Sequence, residues 1–204
     1  EYEAEEFLKR YIPVAKHVLV NSNEEAEEAA IKIKFPLVLK VISQDALHKS
    51  EIDGVKIIET GEKYLETYRE LVNKCKKIKL DGILVQEFIK GEYVIIGLKK
   101  DVVFGHIIVF GIGGIYTELL KDVSFRVCPI TLKDAEEMIN EIKMKEILFG
   151  FRGRNKVNIA LLKEVLVKVS NIPSKNPSIA EMDINPFVIN EKNGFVVDAR
   201  ILVE

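Results

Sequence analysis

The sequence predicts an α+β fold arranged as two lobes, and three observations carry that reading. Amphipathic helical stretches and short apolar strands are interspersed along all 204 residues, with hairpin-like connections where a doubly wound parallel sheet would alternate strand and helix regularly. The length suits one large domain or two small lobes, and such a chain buries roughly 70% of its unfolded surface without disulfide or metal staples. Apolar residues make up 48%, a globular share that excludes disorder.

Residues 3–11 read as a short helix with Phe7 and Leu8 on its apolar stripe, stopped before Pro13. Residues 18–20 form a strand. Ser22 or Asn23 then caps a helix with Glu24, Glu25, Glu27 and Glu28 near its positive N-terminal end and Ala26, Ala29, Ala30 and Ile33 on its stripe. Phe35-Pro36 breaks it, and residues 37–42 form a strand. An aperiodic polar loop covers 43–54, followed by a short strand at 55–59. Residues 62–78 form a long amphipathic helix with Leu65, Tyr68, Leu71, Val72 and Cys75 at helical spacing.

The turn Asp81-Gly82 opens a strand over 83–88, and extended runs follow at 93–99, 105–110 and 118–127. Thr131 and Asp134 have capping-box spacing and start a helix over 132–145. A further helix covers 158–172. The chain ends in a hairpin of 180–189 and 194–203 with its turn at 191–193.

Thirty basic and 32 acidic residues leave a formal charge of -2, which argues against a bulk electrostatic grip on nucleic acid or on an anionic membrane. The longest apolar run, 107–116, contains three glycines and is too short to span a bilayer. Cys75 and Cys128 lack paired spacing and there is no signal peptide, so they read as reduced thiols of a cytoplasmic protein. No Cys/His spacing suits zinc. The first residue is Glu1, which points to a processed or truncated product.

Four features can carry chemistry. Lys40 lies within the apolar run Leu37-Val38-Leu39-Lys40-Val41-Ile42, and a buried ammonium must reach an edge or meet an anion. His48, in Leu47-His48-Lys49-Ser50, is either an exposed loop histidine or a group that takes up a proton or a phosphoryl. The run Phe110-Gly111-Ile112-Gly113-Gly114-Ile115 is either a generic Gly-rich turn or a cradle whose N–H groups approach phosphate. It lacks the lysine of a P-loop and the spacing of a dinucleotide fingerprint. In the last hairpin, period-two geometry puts Glu181, Asp183 and Asn185 on one face, and antiparallel pairing brings Asp198 alongside Asn185. Two hard oxygen donors completed by phosphate are a common way to hold magnesium at a nucleotide.

These features occur in a specific order. Pro36-Leu37-Val38-Leu39-Lys40, Leu47-His48-Lys49-Ser50, Asp53-Gly54-Val55, Leu84-Val85-Gln86-Glu87, the run 110–116, Leu120-Lys121-Asp122-Val123-Ser124-Phe125-Arg126, Glu181-Met182-Asp183-Ile184-Asn185-Pro186 and Val197-Asp198-Ala199-Arg200 span essentially the whole chain. Together they resemble the ATP-grasp (β) subunits of ADP-forming acetyl-CoA synthetases, relatives of succinyl-CoA synthetase.

The resemblance implies an ATP-grasp fold of two α+β lobes clamping a nucleotide, approximately 14–87 and 88–204, with the docking of the first helix left open. It implies an acid-thiol ligase that reversibly converts acyl-CoA, ADP and phosphate to acid, CoA and ATP. A CoA-binding α subunit, in an α2β2 assembly, would handle acyl-CoA and phosphate. His48 matches the phosphohistidine, and Lys40 matches the lysine at the nucleotide phosphates. Gln86, Glu87, Phe88 and Ile89 match the interlobe hinge at adenine and ribose, and Asn185 and Asp198 match the magnesium ligands. ATP or ADP and Mg2+ are the implied cofactors.

Two departures stand out. Asp53 replaces a usual glycine. Tyr93 occupies the usual place of a glutamate, and the adjacent Glu92 can substitute only if a bulge re-aims it. The alternatives are a non-catalytic ATP-grasp-like regulatory or scaffolding module, a β subunit for aryl or branched-chain acyl-CoA, and a ligase acting alone. The scaffold has no need of His48, Asn185 or Asp198, and the lone ligase lacks an evident acid site.

Overall fold

The computed structural model describes residues 1–43, 53–114, 122–153 and 155–204. They divide into two compact units, one of Ala15–Phe88 with Tyr2, the other of Glu1, Glu3–Val14 and Ile89–Glu204.

The smaller unit holds a four-stranded antiparallel sheet in the order β1-β4-β2-β3, from β1 (His17–Val20), β2 (Leu37–Ile42), β3 (Val55–Ile58) and β4 (Gly82–Glu87). Helices α2 (Asn23–Ile33) and α3 (Tyr64–Lys74) supply Ala26, Ala29, Tyr64, Tyr68 and Leu71 to one core with Leu37, Leu39, Val41, Ile83 and Val85. Ser22 is the N-cap of α2, its hydroxyl accepting from the Glu25 amide at 3.1 Å. The expected helix over 62–78 is tightened at both ends. Turns of 3-10 helix at Gly61–Lys63 and Cys75–Lys77 flank α3, where unsatisfied terminal groups favour the closer bonds.

The larger unit is built on a sheet in the order β10-β8-β5-β6-β7, with β9 also pairing β8. Its strands are β5 (Glu92–Asp101), β6 (Gly105–Ile112), β7 (Val123–Val127), β8 (Ile179–Ile189), β9 (Gly194–Val196) and β10 (Ala199–Val203). Helices α4 (Leu132–Glu141) and α5 (Ile159–Ser170) cover one face, and the short α6 (Ile172–Lys175) follows. Met138, Leu162, Val165 and Leu166 share a core with Ile96, Leu98, Ile108, Phe110, Ile184 and Phe187. Helix α1 (Tyr2–Leu8) contributes Ala4 and Leu8 to this core, and Ile12 follows them.

Thr131 and Asp134 form the expected capping box, but α4 ends at Glu141 and Ile142 is extended. The Asp122 carboxylate accepts from the Lys143 and Met144 amides at 3.0 and 2.9 Å, holding the chain in its new direction. The second arm of the last hairpin also departs from expectation. It is two strands, β9 and β10, interrupted at Val197 and Asp198.

Candidate functional site

In the smaller unit, alternation along β2 sends Leu37, Leu39 and Val41 to the helices, and Val38 and Lys40 to the opposite face. On β4, Ile83 and Val85 face the helices, leaving Leu84 and Gln86 on the opposite face. The register pairs Lys40 with Leu84 and Val38 with Gln86, so Lys40 and Gln86 are diagonal neighbours on one face. Lys40 is 6% exposed and Gln86 1% exposed. A lysine buried this deeply needs polar or anionic company.

Beyond Gln86, the Glu87 amide donates to the Lys16 carbonyl at 2.8 Å and the Phe88 amide to the Pro36 carbonyl at 3.3 Å. The chain passes from one compact unit to the other between Phe88 and Ile89.

His48 lies outside the described residues. The residues flanking its segment are fixed. Before it, the Ser43 hydroxyl donates to the Lys79 carbonyl at 2.7 Å. After it, the Gly54 carbonyl accepts from Val41 at 2.9 Å. Asp53 sits at φ 53°, in the left-handed region where glycine is the easier occupant. Its Oδ2 accepts from Lys56 at 2.5 Å and Lys74 at 2.9 Å, which holds its carboxyl below the usual carboxylate range.

In the larger unit, β8 buries Met182 and Ile184 and exposes Glu181, Asp183 and Asn185, the face expected from the period. The Asn185 amide donates to the Asp198 carbonyl at 3.1 Å, placing the two residues side by side. Arg200 lies opposite Asp183 on β10, and Gly97 lies opposite it on β5. Crowding by neighbouring atoms pushes the solvent-accessible Asp183 carboxyl up, the negative Asp198 adds to this, and Arg200 opposes it.

Glu92 and Tyr93 separate as adjacent strand residues do. Val94, Ile96 and Leu98 point into the core, so Glu92 shares their side of β5. Tyr93 is on the side of Gly97 and Asp183 and is 43% exposed. The β5–β8 register shifts between Val94 and Ile96, beyond Glu92, and so leaves it on the core side.

The glycine run serves packing where it is described. A Cβ on Gly111 would stand 2.9 Å from the Asp122 carbonyl, and one on Gly113 3.0 Å from the Tyr93 backbone. The Gly113 amide donates to the Tyr93 carbonyl at 2.7 Å, so it is engaged within the protein. Arg126 ion-pairs with Glu141 at 2.5 Å and Glu137 at 3.6 Å, tying β7 to α4. Nothing in the sequence alone gives Asp122 or Arg126 a partner. Only the fold shows their partners.

Magnesium fits the larger unit's acidic face through its donor chemistry. The Asn185 amide oxygen and Asp198 carboxylate are hard donors on adjacent segments, on the sheet face that also exposes Glu181 and Asp183. Among the described residues, no group of three or more His, Cys, Asp or Glu is placed to hold a metal ion unaided. A cation at this face therefore needs further oxygen donors, as nucleotide phosphates supply.

A family profile described as an ATP-grasp domain matches residues 1–203. Acetate–CoA ligase [ADP-forming] I subunit beta of Pyrococcus furiosus is 42% identical over 210 residues, an alignment covering all of this chain and 90% of the relative. The acetate–CoA ligase [ADP-forming] I of Archaeoglobus fulgidus is 40% identical over 198 residues, covering 94% of this chain but 29% of the relative. Two structures of acetyl-coenzyme A synthetase 1 from Ca. Korarchaeum cryptofilum, each 42% identical, cover all of this chain and 92% of theirs. Their TM-scores are 0.89 and 0.90. One holds coenzyme A and Mg-AMPPCP, with its phosphohistidine segment pointing towards the nucleotide binding site. The other holds coenzyme A and acetyl-coenzyme A, with a phosphorylated phosphohistidine segment in the site I orientation.

Proposed function

The chain belongs to the ATP-grasp domain family, and on that footing we propose that it is the nucleotide-binding β subunit of an ADP-forming acetate–CoA ligase. The two compact units are its lobes. The single observation that carries the chemical reading is the pairing of Asn185 with Asp198 on a sheet face already rich in carboxylates. Lys40 and Gln86 supply the second set of groups, on a face of the other unit's sheet.

The partner, a CoA-binding α subunit in an α2β2 assembly, makes an acyl phosphate from acyl-CoA and phosphate and releases CoA. The phosphoryl group passes to a histidine of the partner, releasing the acid, and then to His48. A neutral imidazole nitrogen of His48 attacks phosphorus and the new N–P bond forms as the donor's bond to phosphorus breaks. A terminal oxygen of ADP next attacks the same phosphorus, the N–P bond breaks and ATP leaves.

Transfer between anions requires charge neutralisation, and Lys40 provides a fixed ammonium at the nucleotide phosphates. Gln86 to Ile89 position adenine and ribose. Asn185 and Asp198 would hold magnesium, which when bound draws charge from phosphate oxygens. Glu92, on the core side of β5, has no part in this assignment. The cytoplasm is the compartment where these substrates meet, and no helix among the described residues is long and apolar enough to cross a membrane.

Reconstitution tests the reading. The chain alone makes no ATP from acetyl-CoA, ADP and phosphate, and adding the CoA-binding subunit starts the reaction. Strong synthesis by the isolated chain contradicts it.

A further inference from the structure

Five glycines lie within the described strands, and four have a reason in the fold. Gly82 and Gly105 take φ 155° and 75°, where a side chain is strained. A Cβ on Gly111 would stand 2.9 Å from the Asp122 carbonyl, and one on Gly194 2.6 Å from the Phe187 ring. Gly97, inside β5, has neither reason. Its φ is not positive, and an added Cβ would meet only the Met182 carbonyl oxygen at 3.6 Å and the Val109 Cβ at 3.7 Å. Those are ordinary van der Waals contacts. Glycine inside a strand costs conformational entropy and leaves a gap in the row of side chains, so packing favours a larger residue here.

The surroundings of Gly97 supply a different reason. Alternation puts it on the face of β5 away from the helices, the side of Tyr93 and Ile95. The register sets it opposite Asp183 of β8 on one side and Val109 of β6 on the other. Asn185, bonded to Asp198, lies two residues along β8 from Asp183, about 7 Å at the usual strand rise. From Ile89, where the chain enters this unit, β5 presents Tyr93 first and Gly97 roughly 13 Å further on. A nucleotide with its base at the Gln86–Ile89 end and its phosphates beside Asn185 therefore runs along β5, its terminal phosphate nearest Gly97. A side chain there would stand in its path. Close approach of a ligand is one of the few uses of a strand glycine that packing does not need. Arg200, opposite Asp183 on β10, offsets the negative charge that Asp183 would place beside a phosphate.

We propose that Gly97 belongs to the nucleotide site, kept without a side chain so that the terminal phosphate of a nucleoside di- or triphosphate lies against β5 beside Asp183. The assignment rests on the reading of this chain as the nucleotide-binding subunit.

The test is titration of the full chain with Mg-AMPPCP and with AMP, for the natural chain, Gly97→Ala and Gly97→Val, with urea unfolding in parallel. Mg-AMPPCP affinity falls at least threefold in Gly97→Ala and at least tenfold in Gly97→Val. The single phosphate of AMP stops short of Gly97, so AMP affinity stays within twofold. The urea midpoint of Gly97→Ala stays the same or rises, because its Cβ has room. Unchanged Mg-AMPPCP affinity in folded Gly97→Val overturns the proposal, as does an equal loss of AMP affinity. A lower urea midpoint in Gly97→Ala also overturns it, by making Gly97 a packing residue. If Gly97→Val does not fold, Gly97→Ala alone is held to the same criteria. A natural chain that binds no Mg-AMPPCP overturns the nucleotide-binding reading itself, a result distinct from failure of the Gly97 assignment.

Discussion

The backbone amide of Asn185 donates to the carbonyl of Asp198 at 3.1 Å, joining β8 to the interruption between β9 and β10. Two hard oxygen donors from distant parts of the last hairpin thereby become neighbours. The bond is between main chains, so it survives substitution of either side chain. Asn185→Ala and Asp198→Ala should each lower magnesium-dependent turnover roughly 100-fold, about 2.7 kcal/mol of lost charge stabilisation. Asn185 is exposed and Asp198 half-buried, so stability should change by about 0.5 kcal/mol or less. Turnover against magnesium concentration, with urea unfolding in parallel, checks both.

Lys40→Met separates binding from stability. Losing a charged contact to phosphate should weaken nucleotide binding about 10- to 100-fold. Methionine keeps the volume of this 6% exposed side chain, so its packing within the strand is retained while the charged contact is lost. Nucleotide titration and the urea midpoint must move independently. A parallel loss of both would make Lys40 a packing residue.

Thr131→Ala removes one half of the α4 capping box and should cost about 1 kcal/mol. The hydroxyl it deletes accepts the Asp134 amide at 3.2 Å, and the helix lies on the side of the sheet opposite Asp183 and Asn185. A thermal melt should show the loss while turnover in the assembled enzyme at 25 °C stays the same.

Alkaline pH should destabilise the fold through acids that burial keeps protonated, Cys128 and Tyr64 foremost among them. Burial pushes the Cys128 thiol up to about 12 and also raises the Tyr64 hydroxyl, which donates to the Ala26 carbonyl at 2.7 Å. Both keep their protons in the folded chain at pH values where the unfolded chain has released them. The folded state binds more protons there, so stability falls as pH rises above about 9 for the thiol and about 10 for the phenol. Urea unfolding from pH 8 to 11 should show the decline, and Cys128→Ala should flatten its earlier part. Native Cys128 should also react slowly with thiol reagents at pH 8.

How much was legible in the sequence depended on how local the cause was. The face carrying Glu181, Asp183 and Asn185, and the approach of Asp198, follow from strand period and one hairpin. The opposite facing of Glu92 and Tyr93 follows from the same alternation. Lys40 and Gln86 meet only because β4 inserts between β1 and β2, and no spacing encodes that strand order. Helix α4 ends short of its periodic pattern for a related reason: the carboxylate that holds the Lys143 and Met144 amides belongs to Asp122, upstream of the helix. The split of β9 from β10 arises where Val197 and Asp198 leave the ladder, as the Asn185 amide bonds the Asp198 carbonyl and the Val197 amide bonds the Pro186 carbonyl at 3.2 Å. From sequence, the glycine run leaves a generic turn and phosphate binding open. Gly111 and Gly113 turn out to be close-packing positions.

The relay through His48 is the central claim, and mapping of a transferred phosphoryl group tests it most directly. The complex assembled with the CoA-binding subunit is incubated with labelled phosphate and acetyl-CoA, without ADP, and an acid-labile label is located on this chain. The account predicts label on His48, its discharge into ATP when ADP and magnesium are added, and no label on this chain in His48→Ala. Label on another residue of this chain, or full ATP synthesis by the His48→Ala complex, contradicts it.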